Sequence, residues 1–118
     1  MDLQFFESEQ VPLPPEQVRV TSARASPYPD RRRVKVGVCL TPFLERPDVE
    51  LRIADPGGET LAEAAVIECV EHEFELTLHL RRPSLTAMAC QLQVKVSYPE
   101  RDLASAFVVE FTLPAPAG

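Results

Sequence analysis

Between Glu68 and Glu75 the chain crowds its densest set of side chains able to ligate a metal: Glu68, Cys69, Glu71, His72, Glu73 and Glu75. Cys69-x-x-His72 is a workable short spacing for zinc, whose tetrahedral sites take thiolate and imidazole ligands. Such a site needs four ligands, and no second pair is evident. On an extended backbone alternate residues share a face, so Glu71, Glu73 and Glu75 align with Thr77 and His79. That is the pattern of a solvated strand face, and we expect neither metal nor cofactor.

A second set is cationic. Arg24, Arg31, Arg32, Arg33, Arg81 and Arg82 could recognise carboxylate or phosphate groups, because a guanidinium presents a planar fork of donors. The alternative is a set of solvated arginines at strand ends. A third set is apolar: Phe43-Leu44-Glu45-Arg46 sets two large apolar residues beside an arginine, the composition of an interface anchor. Arg101 and Leu103 would be its neighbours if the segments meet. Alternatively Phe43 folds back as a plug over the end of the core. For covalent catalysis, Ser84, Ser97 and Ser105 could pair with His72 or His79, but no nucleophile elbow, phosphate-cradling glycine loop or base-orienting trio accompanies them. We expect no enzyme.

The elements that must position these residues are strands. Val34, Val36, Val38 and Leu40 fall at every second position, as do Val49, Leu51 and Ile53. So do Phe74, Leu76, Leu78 and Leu80, then Leu92, Val94, Val96 and Tyr98, then Phe107, Val109, Phe111 and Leu113. Period-two alternation marks strands with one buried face. The spacing predicts strands over 18–25, 32–41, 48–54, 73–80, 88–98 and 106–113. Asp55-Pro56-Gly57-Gly58 should close a hairpin into 59–70, where helix propensity competes with the turn and with Val66-Ile67, and we read a strand. Twelve prolines against four glycines fit this plan, since proline punctuates strands and does not sit inside them.

The 118 residues divide into an extended arm over 1–17, one sandwich domain over 18–113 and a frayed tail over 114–118. A net charge of −6 argues against a nucleic-acid binder, and no apolar stretch is long enough to span a bilayer as a helix. The first residues carry neither basic segment nor apolar run of a signal peptide, so a cytoplasmic location is expected. Phase sets Cys90 inward with Leu92 and Val94, and Cys39 outward with Lys35. That parity argues against a disulfide between them, and reduced thiols suit a reducing compartment.

Seven strands at this spacing, with Pro12-x-Pro14-Pro15 leading into Val18-x-Val20, resemble the immunoglobulin-like sandwiches and the fibronectin type III kind in particular. The resemblance covers residues 12–113 and implies an all-β, seven-stranded antiparallel sandwich. It implies no specific function. The chain has no tryptophan, and Met88 stands where a tyrosine is usual. In that topology Arg24, Arg31, Arg32, Arg33, Arg81 and Arg82 gather at one end, offset by Asp30, Asp55 and Glu59. The other end carries Glu45, Asp48, Glu71, Glu73, Glu100 and Asp102, with Arg46 and Arg101. The expected function is non-catalytic binding of another protein, through an edge strand or the loop end bearing Phe43 and Leu44. Self-association through edge strands is a further option. The alternative is a small-ligand or carbohydrate module, weakened by the scarcity of aromatic platforms.

Overall fold

The computed structural model describes residues 11–81 and 87–115. It contains seven strands: β1 (Val20–Pro27), β2 (Arg33–Leu40), β3 (Asp48–Ala54), β4 (Thr60–Val66), β5 (Glu73–His79), β6 (Met88–Tyr98) and β7 (Leu103–Leu113). They form two antiparallel sheets, one ordered β1-β2-β5 and the other β4-β3-β6-β7. The architecture is an all-β sandwich. Arg82, Ser84, residues 1–10 of the expected 1–17 arm and tail residues 116–118 lie outside the described residues.

The alternation seen in the sequence is the alternation of burial. Val34, Val36 and Val38 of β2 face Val49, Leu51 and Ile53 of β3 and Leu92, Val94 and Val96 of β6 in one core, each at most 2% exposed. On β5 the outward face is Glu73, Glu75, Thr77 and His79, and the inward face is Phe74, Leu76 and Leu78. Cys90 lies in the core, and Cys39 is half-buried on the outer face of β2.

The segment after the glycine turn is a strand, paired with β3 from Val49↔Val66 to Ala54↔Thr60. The turn closes because Gly58 takes φ +91°, a conformation costly for any side chain. The Asp55 side chain accepts from the Glu59 amide at 2.8 Å. This strand stops at Val66, four residues short of the predicted end. Glu68 turns to φ +51°, its amide donates to Asp48 Oδ1 at 2.9 Å, and the chain leaves the sheet.

β1 runs two residues later than the pattern suggested and ends on Pro27. A proline is tolerated there because β1 is an edge strand with no neighbour on its far side. This corrects the position of Arg24. It is not at the arginine-bearing end but in mid-sheet, opposite Gly37, which is itself opposite Glu75. Its guanidinium lies over Gly37, where a Cβ would meet Nη2 at 2.9 Å, and reaches Glu75 at 3.6 Å. β7 begins three residues earlier than predicted. A 3-10 turn over Pro99–Arg101, closed by Asp102 at φ +57°, makes the β6–β7 connection very short.

Candidate functional site

Four segments meet at one end of the sandwich. The lead-in reaches it through Leu13, whose amide donates to Pro42 O at 3.0 Å while Leu44 N donates to Leu13 O at 2.9 Å. The β4–β5 turn is held there by Cys69 N donating to Pro47 O at 2.8 Å and by Leu40 N donating to His72 O at 2.6 Å. The β6–β7 turn is fastened by two contacts to Glu45. Tyr98 Oη donates to the Glu45 carbonyl at 2.8 Å, and Arg101 grips the Glu45 carboxylate through Nε at 3.2 Å and Nη2 at 2.6 Å. The loops are therefore braced by hydrogen bonds between segments distant in sequence.

On this braced end sit exposed apolar side chains. Among the described residues, five large hydrophobics are exposed: Val11 (55%), Leu44 (66%), Ile67 (66%), Val70 (66%) and Val108 (51%). Leu44, Ile67 and Val70 belong to the loops of this end, and Val11 precedes Leu13 of the lead-in by two residues. Ile67 also walls a depression of about 190 Å³ with Glu45, Arg46, Asp48, Glu68, Tyr98, Pro99, Glu100 and Arg101. An exposed apolar group rimmed by polar residues is the usual signature of a contact surface.

Phe43 and Leu44 divide the labour. Phe43 is half-buried and packs on the core, while Leu44 stands in solvent. Leu103 is half-buried against the core as well, and Arg46 and Arg101 are exposed. Phe43→Ala should therefore lower stability by about 2 kcal/mol, less than a fully buried phenylalanine costs. Urea titration reads the loss. An unchanged midpoint would mean that Phe43 does not close the core.

Tyr98 gives this end a pH signature. Burial, then the nearby Glu45 carboxylate, push its phenol up to about 12 from an ordinary value near 10. A raised acid favours the protonated native state. Its contribution is complete below the unfolded value near pH 10 and is lost as pH rises through 12. Tyr98→Phe should flatten the fall in stability between pH 10 and 12, worth about 2 kcal/mol. The buried thiols of Cys69 and Cys90 are also pushed up, by desolvation first, and remain in both proteins. An alkaline limb unchanged in Tyr98→Phe would contradict this.

The opposite end holds Arg31, Arg32, Arg33 and Arg81, and most of them are engaged. Arg31, at φ +59°, is 5% exposed, and its Nε donates to the Pro114 carbonyl, tying the β1–β2 turn to the chain beyond β7. Arg33 pairs with Asp30 at 2.9 Å and stacks over Tyr28 at 4.2 Å. The Asp30 carboxyl is held below its usual range by the Arg32 amide first and by Arg33. Arg81 reaches Glu63 at 3.6 Å, and Arg32 is exposed. These arginines do not form one open cationic face.

The dense acidic stretch is dispersed. Cys69 is buried, with its thiol donating to Glu71 O at 3.1 Å, whereas Glu71, Glu73 and Glu75 are exposed. Among the described residues no group of three or more His, Cys, Asp or Glu converges on a metal position, and no helix is long and apolar enough to cross a membrane.

Ile67, Val70 and Val11 were not singled out in the sequence. The available signal was Val66-Ile67, two adjacent apolar residues where alternation breaks, followed by Val70 out of any strand. No family model matches this chain, and no curated protein matches it.

Proposed function

We propose that this chain is an immunoglobulin-like sandwich of the fibronectin type III kind that acts by binding another protein at its loop end. The three-plus-four division and its order, β1-β2-β5 against β4-β3-β6-β7, support the resemblance. One observation carries the binding role: Leu44, Ile67 and Val70 are each solvent-exposed on loops braced at the same end, with Val11 exposed on the lead-in two residues before Leu13, so little ordering entropy opposes docking. Phe43 and Leu103 support that surface from the core side, and Arg46 and Arg101 flank it.

The rim carries Glu45, Glu68, Glu71, Glu100 and Asp102, so the fitting partner has an apolar centre and basic surroundings. No catalytic step is needed for this role. Three free cysteines, two of them in the core, suit action in a reducing compartment such as the cytoplasm.

Capture from an extract of the native host tests the role. The wild-type chain should recover a partner that the double variant Leu44→Glu/Ile67→Glu loses. Equal recovery by both chains would remove the loop end from consideration.

A small-ligand or carbohydrate module is the second reading. In its favour is an open depression of about 500 Å³ on the outer face of the four-stranded sheet, lined by Glu50, Arg52, Glu63, Gln93 and Lys95 among others. No aromatic lines it. Its central Arg52 guanidinium is already taken by Thr60, Gln93 and the Gly58 carbonyl, which leaves little to grip a sugar.

A further inference from the structure

The two sheets have four edges, and three carry features that discourage pairing. β1 has a register break between Val20 and Ser22 and ends on Pro27. β4 has an irregularity against β3 near its start and carries Glu63. β5 presents Glu73 and Glu75. Breaks, prolines and charges are the means by which edges avoid adding strands. β7 has none of the first two. Its 11 residues pair with β6 without interruption, it contains neither proline nor glycine, and Glu110 is its one charge.

The inward row of β7 is also incompletely covered. Phe107, Val109 and Phe111 are half-buried, although their β6 partners Val94, Leu92 and Cys90 are at most 1% exposed. Among the described residues no strand pairs with the outer edge of β7, although β1 of the other sheet runs close to it, so no further strand of this sheet brings apolar residues over this row. Such a strand must be apolar on its inner face and nearly uncharged on its outer face. β7 itself is such a strand.

We propose that two copies of this chain associate by antiparallel pairing of β7 with β7, about a two-fold axis at Val108. The ends of β7 are flanked, by residues 15–19 beside Leu103 and Ala104 and by Arg31 at Pro114. Residues 105–111 remain, with Val108 at their centre. An axis normal to the sheet keeps inner residues opposite inner residues, as the side-chain period of two requires. Phe107 then meets Val109, Ser105 meets Phe111, and Val108 meets itself. Glu110 meets Ala106 and not its own copy, so the single charge of the strand causes no like-charge pair. The continuous sheet would have eight strands, four from each copy.

Two copies each carrying −6 repel at long range, so added salt should strengthen this association. It should weaken docking of a basic partner at the loop end. The two surfaces are thus separable in one experiment.

Sedimentation from micromolar to near-millimolar chain concentration tests the proposal. The wild type should pass from monomer to dimer, with more dimer at higher salt. Val108→Lys sets two lysines opposite each other and should weaken the dimer about tenfold or more. Because Val108 is half in solvent, that variant should fold normally, which its denaturation midpoint verifies. Ala106→Lys sets each lysine opposite Glu110 of the other copy and should keep or tighten the dimer. A wild type that stays monomeric throughout would overturn the proposal. So would a Val108→Lys dimer as strong as wild type, or an Ala106→Lys chain that dissociates as Val108→Lys does.

Discussion

Truncating Leu92 to alanine should cost the fold about 4 kcal/mol, the upper part of the range for buried leucines. Leu92 is fully buried in β6, the strand that lies between β3 and β7, with Ile53 and Val109 as its lateral partners. Both neighbours are held in ladders, so the backbone has little freedom to close the cavity. A domain of this size has about 5–15 kcal/mol in total, so the variant should approach the limit of stability. Val109→Ala on the half-covered edge strand serves as the comparison and should cost clearly less. Urea or thermal unfolding measures both. Equal losses would mean that the sheet interior and its β7 edge are packed alike.

The second large effect concerns binding. Leu44→Glu with Ile67→Glu should reduce affinity for the loop-end partner by about a thousandfold, since buried interface anchors contribute about 2 kcal/mol each. Stability should change by only about 0.5 kcal/mol, because both side chains stand in solvent before docking. The contrast with Leu92→Ala is the point. One variant loses the fold and the other loses only the surface. Titration calorimetry with the captured partner reads the first quantity and denaturation the second. A double variant that binds as wild type, or one that unfolds, would contradict the assignment.

The phase of the alternating runs carried most of the architecture. For β3 and β6 it reproduced both ends, because the residues flanking them, Pro47 and Asp55 or Pro99, cannot continue a ladder with the same pattern. It also set the faces correctly for Cys90 and for the Glu73, Glu75 and His79 row. Where it failed, the cause was local backbone geometry with no residue marker. Glu68 and Arg31 adopt positive φ without being glycine or asparagine, so composition marks the Pro27–Asp30 turn but not the left-handed residue in either connection. The first releases Ile67 and Val70 from the sheet and creates much of the apolar loop end. The second buries Arg31 and removes it from the cationic set. The position of Arg24 was missed because a proline ending an edge strand looks, in sequence, like the start of a turn. Leu103, Ala104 and Ser105 have no strong alternation, which hid the beginning of β7 and with it the length of its edge.

Amide chemical shifts of the labelled chain, recorded as the captured partner is added, test the loop-end assignment most directly. The largest shifts should fall on residues 42–47, 66–72 and 98–102, the segments braced by Glu45, Asp48 and Pro47. Shifts confined instead to residues 28–32 and 55–59 at the opposite end, with the loop end undisturbed, would contradict it.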